Sequence, residues 1–169
     1  MKCGAKWTMY HPNAKGTGSA FMLELYPAHE SASGSMSARL VPQKTVGSFE
    51  GGVRILPTFD WDGALTVRLD ILELAQVQEV LRGYREKIAD GNGLFHRTAT
   101  ANTVVTFEHR LEPVPGYVLS ISRKTVDGEL IRNSFTLSMT EAIALSSVLD
   151  GAAVQLAFGV PQFAREEVA

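Results

Sequence analysis

One internal repeat constrains the fold of this chain more than any other feature of the sequence. Residues 69–81 align without a gap on residues 137–149, which lie 68 positions further along. Leucine, glutamate, valine and leucine recur at four matched positions, and Asp70 corresponds to Ser138. Self-similarity at a fixed offset indicates that one structural unit occurs twice. The sequence therefore predicts a fold made of two similar halves.

Each copy of the repeat has the sequence of a capped amphipathic helix. Asp70 and Ser138 are residues that cap helix starts, and Glu73 and Glu141 follow three positions later, which is the spacing of a capping box. Apolar residues then recur at helical spacing and are followed by glycines, which we expect to end both helices. The apolar positions are Leu74, Val77, Leu81, Tyr84 and Ile88 before the break at 90–93, and Ala142, Leu145, Leu149 and Ala152 around Gly151.

The segments that precede each helix predict β-strands. Apolar and polar residues alternate in 103–111 and in 117–125, which is typical of an antiparallel sheet with one solvent-facing side. The Asp127-Gly128 pair carries the signal of a tight hairpin turn. The predicted strands cover 19–26, 36–41, 53–59 and 65–68 in the first half, and 103–111, 117–125, 130–132 and 135–137 in the second. The expected fold class is α+β, with two repeats of four antiparallel strands followed by a helix.

These two halves account for most of the chain as one compact domain. The 169 residues are 45% hydrophobic and 20% charged, which are ordinary values for a soluble domain with a real core. We expect an N-terminal extension over residues 1–12, a domain over 13–155 with repeats at 13–90 and 94–152, and a C-terminal tail over 156–169.

The first residues and the cysteine content favour an intracellular, cytoplasmic location, with association with the nucleoid as an alternative. Residues 1–7 lack the apolar core of a signal peptide, and a single cysteine, Cys3, excludes an intramolecular disulfide. No apolar run approaches the ~18 residues that a membrane helix needs. No membrane partner is therefore predicted.

No group of residues has the spacing of a catalytic or metal site. The four histidines are dispersed and form no His-x-x-x-His pair. Residues 15–19 have the wrong order of glycine and lysine for a phosphate-binding P-loop. Asp60 and Asp62 flank Trp61, where carboxylates more commonly cap a turn than form a catalytic pair. The sequence predicts neither an enzyme nor a cofactor nor a metal ion.

The formal net charge of −2 and the pI of about 6.1 argue against a nucleic-acid-binding protein unless the charges are segregated. The acids Glu73, Glu79, Glu86, Glu141 and Asp150 lie on predicted helices, and the bases Lys15, Arg39, Lys44, Arg54, Arg110, Arg123, Lys124 and Arg132 lie on or beside predicted strands. This pattern predicts a positive sheet surface opposite a negative helix surface. A scattering of ordinary solvated charges is the alternative.

Four short motifs, in order along residues 13–152, carry a family resemblance. Residues 15–27 are similar to a Lys-Gly-Lys-Ala-Ala-Leu opening strand, and 59–61 (Phe-Asp-Trp) are similar to a Tyr-Asp-Trp signature. Residues 94–96 (Leu-Phe-His) are similar to a Phe-Phe-His element, and 113–121 are similar to a proline- and glycine-containing hairpin. In this order the motifs resemble the Whirly proteins and, more distantly, the positive-cofactor-four group, which bind single-stranded nucleic acid.

The resemblance implies a non-enzymatic protein that binds single-stranded DNA with weak sequence preference, in DNA metabolism or transcription. It also implies a homo-oligomer, from dimer to tetramer, that associates through the helices and leaves the sheets outward. Lys15 matches the first lysine of the opening motif, whereas Thr17 replaces the second. The alternatives are an RNA-binding relative and a structural or protein-interaction domain that keeps the fold without binding nucleic acid.

Single-strand binding needs cations for phosphates and flat side chains on which bases stack. If Phe21 and Leu23 face the core, Tyr26 faces outward, and burial of Leu119 leaves Lys124 outward in the same way. Trp61 is either a platform for bases or a core residue. The candidate nucleic-acid-binding residues are Lys15, Tyr26, Arg39, Lys44, Arg54, Trp61, Arg123 and Lys124.

Overall fold

The computed structural model describes residues 5–29 and 32–160, and Cys3 and the predicted tail from Pro161 onward lie outside them. The strands are β1 (Ala5–His11), β2 (Ser19–Tyr26), β3 (Ser35–Thr45), β4 (Ser48–Glu50), β5 (Val53–Ile55), β6 (Thr58–Phe59), β7 (Leu65–Leu69), β8 (Leu94–Arg97), β9 (Ala101–Arg110), β10 (Gly116–Thr125) and β11 (Leu130–Leu137). The helices are α1 (Ile71–Leu81) and α2 (Met139–Phe158), with a short 3₁₀ helix at Ile88–Gly91.

Two antiparallel sheets dominate the architecture, as the α+β prediction required. The first has the order β1-β2-β3-β7, with the short β6 paired to the far end of β3. The second has the order β8-β9-β10-β11. Strand β7 leads directly into α1 and β11 into α2. Strands β4 and β5 form a separate hairpin, so the connection between the third and fourth main strands is longer in the first half than in the second.

The first strand of each half differs from the sequence-based prediction. Residues 5–11, which we expected in an N-terminal extension, form β1 and pair with β2 along their whole length. Residues 5–11 have the alternating pattern of a strand, in which Trp7 and Met9 lie on the side that packs against the core. Residues 94–97 form β8, which pairs with β9 and completes the second sheet. Residues 130–137 form one continuous strand rather than two.

Both helices end at positions other than those expected. Helix α1 stops at Leu81, because the chain turns through Gly83 in the left-handed region at φ 75°. Tyr84 therefore leaves the predicted apolar stripe and is 75% exposed. Helix α2 passes Gly151 and ends at Gly159, so residues 156–158 belong to the domain and not to a tail.

One core fills the space between the inner faces of the sheets and the inner sides of the helices. Strand β11 lies against β2 and β3, and β10 lies against β7. The rings of Phe21 and Phe135, one from each sheet, are 5.7 Å apart. The largest fully buried side chains come from both halves and are Phe21, Met36, Leu40, Val41, Val80, Ile88, Val105, Phe107, Ile121, Phe135 and Leu137.

Contacts between the helices join positions that are equivalent in the repeat. The side chain of Gln78 donates from Nε2 to the carbonyl oxygen of Ser146 and accepts at Oε1 from the Ser146 hydroxyl, and these two residues are 68 positions apart. Arg82 donates to Asp150 at 2.6 Å across the same separation. Equivalent residues meet in this way when two halves are related by an approximate two-fold axis. The two helices therefore contact each other through residues that are equivalent in the sequence repeat.

The predicted capping boxes form at both helix starts, and each is completed by a histidine from the other half. Glu73 accepts from the backbone N–H of Asp70, and Glu141 accepts from that of Ser138. The second carboxylate oxygen of Glu141 lies 2.6 Å from His11 Nε2 on β1.

His96 on β8 occupies the corresponding place beside Glu73. Its Nε2 is 2.9 Å from Glu73 Oε1, although the pair does not meet the geometry of a hydrogen bond. Each half thus contributes a histidine to the helix start of the other half.

Helix α2 is long and apolar enough to cross a membrane by length and composition, contrary to our expectation that no segment is. One side of this helix packs in the shared core through Ala142, Leu145, Leu149, Ala152 and Leu156. The apolar residues Ile143, Val154 and Phe158 are exposed on the rest of its surface.

Replacement of Glu141 by alanine is expected to lower the free energy of unfolding by about 1–2 kcal/mol at neutral pH, because the cap and the contact with His11 are lost together. Burial acts to raise the pKa of Glu141, but hydrogen bonds from Ser138 and His11 hold this pKa below its ordinary value of 4.5. The contribution is therefore present above pH 4.5 and is lost as the pH falls through the lowered pKa.

Urea unfolding at pH 7 and at a series of lower pH values measures the stabilisation by Glu141. Glu129→Ala, which changes an exposed residue before β11, is the control. The stability difference between the wild type and Glu141→Ala should shrink in acid. A difference that stays constant below pH 4 would show that the carboxylate charge contributes nothing.

Candidate nucleic-acid interface

Charge is segregated between strands and helices, as the sequence predicted, except that Glu86 lies beyond the end of α1. Helices α1 and α2 contain no lysine or arginine, and they carry Glu73, Glu79, Glu141 and Asp150. The eight main strands contain two acids, Glu24 and Glu108, and the bases Lys6, Arg39, Lys44, Arg68, Arg97, Arg110, Arg123, Lys124 and Arg132. The negative net charge therefore does not describe the sheet surface.

The two acids on the main strands are each paired with a lysine. Glu24 faces outward from the first sheet, and one of its oxygens is 3.9 Å from Lys6 Nζ. Glu108 faces outward from the second sheet, 3.4 Å from Lys87 Nζ. These pairs reduce the repulsion that free carboxylates would exert on a phosphate chain.

Three aromatic side chains form a cluster on the outer face of the first sheet, which we call the first platform. Tyr10 of β1 lies opposite Ala20, on the solvent side of the sheet. Its ring centroid is 5.3 Å from that of Phe59 and 6.3 Å from that of Trp61, to which it is nearly perpendicular. Tyr10 is 53% exposed, whereas Phe59 and Trp61 are half-buried. Trp61 therefore lies half-buried beside Tyr10 on the outer face.

Arg39 joins the first platform from the centre of β3. Its guanidinium carbon lies 5.7 Å from the centre of the Trp61 ring, and Nη2 donates to the Trp61 carbonyl oxygen at 3.3 Å. The Arg39 Nε is buried, and no described group accepts a hydrogen bond from it. The first platform therefore combines flat apolar rings with the guanidinium of Arg39.

Tyr26 lies at the other end of the same outer face. The guanidinium of Arg68 sits over its ring, 5.0 Å from the centroid, and also donates to the Ser35 hydroxyl. A base that stacks on Tyr26 has to displace Arg68 or lie against it. The predicted outward direction of Tyr26 agrees with the structure.

The side chain of Gln43 organises the loop that carries Lys15. Its amide oxygen accepts from the backbone N–H groups of Asn13 and Gly18, and its amide nitrogen donates to the carbonyl oxygens of Asn13 and Thr45. A Cβ at Gly18 would lie 2.3 Å from that amide oxygen, so a glycine is required there. Lys15 is exposed on the surface of this ordered loop.

Lys44 and Arg54 are exposed and lie outside the first platform. Lys44 lies near the end of β3, where the chain leaves the first sheet. Arg54 lies on the β4–β5 hairpin, whose residues are all exposed. Both side chains are accessible to a phosphate chain.

A second set of outward residues lies on the other sheet, and we call it the second platform. Phe95 of β8 is 71% exposed and lies beside Val104 on β9. One row further along, Arg97 lies opposite Asn102, which in turn lies opposite Lys124 on β10. All three side chains, Phe95, Arg97 and Lys124, are exposed. The second platform therefore has one aromatic ring and two nearby cations.

Arg123, a predicted phosphate contact, points toward the other sheet instead. Its Nη2 donates to the Thr66 carbonyl oxygen on β7 at 2.6 Å, and its Nε donates to the Thr103 hydroxyl at 3.1 Å. Arg123 is one residue out of phase with the outward Lys124, which is why it meets the first sheet. The geometry assigns Arg123 to docking of the sheets.

Sequence reasoning missed Tyr10, Phe59, Phe95 and Arg97 as site residues. The sequence does contain a pattern that marks two of these residues. An aromatic residue precedes a histidine in the first strand of each half, as Tyr10-His11 in β1 and Phe95-His96 in β8. In each pair the histidine meets a helix start and the aromatic ring faces solvent. In each pair, the histidine packs on the inner face of the sheet and the aromatic ring is exposed on the outer face.

Comparison with known proteins bears on the fold. No protein-family model and no curated protein matches the sequence. Among solved structures, WHY1 from Arabidopsis thaliana superposes with a TM-score of 0.71 at 14% identity, covering 91% of this chain and 85% of that chain. WHY3 from Arabidopsis thaliana superposes with a TM-score of 0.70 at 15% identity, covering 90% of this chain and 88% of that chain. The protein thus has the fold of the Whirly proteins, as the order of its motifs predicted.

Proposed function

We propose that this protein binds single-stranded DNA, with weak sequence preference and without enzymatic activity, on the outer faces of its two sheets. The observation that carries the proposal is the pair of outward aromatic platforms, each beside cations, on a Whirly-like fold. Tyr10, Phe59 and Trp61 with Arg39 form the first, and Phe95 with Arg97 and Lys124 forms the second.

The chemistry of the platforms suits unpaired bases. A ring on a sheet face offers a flat surface to any base, which explains weak sequence preference, and nearby arginine and lysine side chains neutralise the phosphates between bases. A duplex keeps its bases stacked on one another, so these rings have nothing to stack on. The outer faces also present no helix to enter a major groove. Single strands are therefore the preferred ligand.

Association of several copies through the helices is consistent with this use of the sheets. Helices α1 and α2 expose Leu72, Ile143, Val154 and Phe158, and Phe158 is 86% exposed. Exposed apolar side chains on packed helices are typical of a surface that a second copy covers. Assembly through the helices leaves both outer sheet faces accessible to DNA.

Replacement of Trp61 or Tyr10 by alanine is expected to weaken binding of a mixed-sequence single strand about tenfold, since one base–aromatic stack contributes about 1–3 kcal/mol. Fluorescence anisotropy with a labelled oligonucleotide measures the affinity, with circular dichroism as a check on folding. Trp7→Phe is the matched control, because Trp7 packs against the core. Equal affinity of Trp61→Ala, Tyr10→Ala and the wild type would contradict the first platform.

Neighbouring cations on β10 should respond differently to the same substitution. Lys124→Gln should weaken binding and reduce the slope of log affinity against log salt by about 0.7, the value for one phosphate contact on a single strand. Arg123→Gln should leave that slope unchanged and lower the free energy of unfolding by about 1–2 kcal/mol, because the bond to Thr66 is lost. Titrations at several salt concentrations and urea unfolding separate the two roles. A reduced salt slope in Arg123→Gln, together with an unchanged slope in Lys124→Gln, would show that DNA does not bind the face of β10 that carries Lys124.

A glutamate in place of Ile143 should dissociate the assembly, because it puts a charge into the apolar patch between copies. Light scattering coupled to size exclusion measures the mass. Ala99→Glu adds the same charge at an exposed position between β8 and β9, away from the helices, and should leave the mass unchanged. A wild-type protein that is strictly monomeric over micromolar concentrations would refute association through the helices.

A further inference from the structure

A polar depression lies on the outer face of the second sheet, beside the second platform. Its volume is about 220 Å³. Three cations line it, Lys87, Arg110 and Arg132, together with the side chains of Thr106 on β9 and Ser120 on β10. Glu108 is the one carboxylate that lines it among the described residues.

The charge of Glu108 is already offset by two of these cations. Arg110 contacts one of its oxygens at 2.5 Å, and Lys87 Nζ is 3.4 Å from the other. Burial acts to raise the pKa of Glu108, but the hydrogen bonds and charges of Arg110 and Lys87 hold it below the ordinary value. The carboxylate is therefore ionised at neutral pH.

Arg132 is not part of this arrangement. Among the described residues no carboxylate lies within 4.0 Å of its guanidinium. Three positive charges and one negative charge leave the depression with a net charge of about +2.

An unusual backbone turn places Lys87 at the rim. Ala89 and Asp90 adopt left-handed φ angles of 47° and 52°, and Gly91 follows at φ 91°. Left-handed non-glycine residues are uncommon and concentrate at functional sites. In the first half the corresponding strand, β1, runs straight, with Lys6 opposite Glu24. Among the described residues, the turn and the depression lie in the second half.

Hydroxyl groups form the floor. The Ser120 hydroxyl lies 2.7 Å from that of Ser134 on β11, and either one can be the donor. Ser120 is buried in the sheet surface, and Thr106 is half-buried beside it. A hydroxyl can rotate to donate to an anion oxygen above it. The floor thus supplies neutral donors beneath a rim of cations.

We infer that this depression binds a phosphomonoester and that, in the complex described under Proposed function, it holds the terminal phosphate of a single strand. A phosphomonoester carries about −1.5 to −2 charges at pH 7 and three free oxygens, which match the net charge and the several donors. A phosphomonoester has a single ester bond, so the nucleic-acid strand extends from it in one direction and can leave the depression on one side. An internal phosphodiester has one charge and continues in two directions, so it fits an open face better.

The second platform is close enough to receive the bases next to that phosphate. Thr106 lies two residues along β9 from Val104, the pairing partner of Phe95, and this separation is about 7 Å. Arg132 lies in the same cross-strand row as Val104, through Ser122. A strand anchored in the depression therefore places its first bases near Phe95. This part of the inference rests on the proposed function, whereas the phosphate site itself does not.

The test compares one labelled single strand in three forms, with a 5′-phosphate, with a 3′-phosphate and with hydroxyl groups at both ends. One of the phosphorylated forms should bind about tenfold more tightly than the hydroxyl form, as charge-assisted hydrogen bonds to one group predict. Inorganic phosphate, followed by phosphorus NMR on the intact protein, should bind in fast exchange and should remove this preference when it is added as a competitor.

Two substitutions with opposite signs sharpen the test. Arg132→Gln should abolish the preference for the phosphorylated end. Glu108→Gln should increase this preference, because the substitution removes the negative charge that lines the depression. Arg82→Gln is the matched control, since Arg82 bonds Asp150 on the helix side and lines no part of the depression. Circular dichroism verifies that each variant folds, and the expected gain with Glu108→Gln cannot arise from loss of structure.

The outcomes separate the two claims. Equal affinity for all three strands, with no phosphorus shift change on adding protein, would overturn the phosphate site and leave single-strand binding intact. Binding of inorganic phosphate that is lost in Arg132→Gln, without binding of any strand, would support the site and refute the proposed function. Equal effects of Arg132→Gln and Arg82→Gln would show that only the overall charge matters, which also overturns the inference.

Discussion

The two helix starts are where the halves of this molecule are joined. Each start has a capping glutamate that uses one oxygen for the backbone of its own cap and turns the other toward a histidine of the opposite half. Because a cap glutamate must stay at the third position of its helix, each contact fixes where the first strand of the other half lies. These contacts set the placement of the two halves relative to each other. The same placement produces the shared core and the helix contacts of Gln78 with Ser146 and of Arg82 with Asp150.

That placement also separates the two kinds of surface. The strands that carry His11 and His96 turn these residues inward, so the preceding aromatic residues, Tyr10 and Phe95, point to solvent. The helices retain acids and apolar residues, and the strands retain almost all of the bases. A chain with a net charge of −2 thereby presents two basic sheet faces. The proposed function depends on this separation and not on any single residue.

The two halves differ at their edges and share one core. The first half has a long connection with Phe59 and Trp61, which enlarges the cluster around Tyr10. The second half leaves Phe95 uncovered and inserts a left-handed turn at Ala89–Gly91 that brings Lys87 beside Glu108. Insertions between strands change the surface without disturbing the core, because the core residues lie on the opposite face of each strand. The first face therefore carries the larger aromatic cluster, and the second carries a single exposed ring beside a cationic depression.

The sequence by itself determined the repeat, both capping boxes, the α+β class and the outward direction of Tyr26 and Lys124, because these depend on spacing within one segment. Only the tertiary structure decided the rest. Strand β1 was not recognised, since a short alternating segment becomes a strand when β2 pairs with it. Arg123 belongs to sheet docking because its partner, Thr66, is 57 residues away. The aromatic and phosphate-binding candidates likewise join segments that are distant in sequence, and no local pattern specifies which of them will meet.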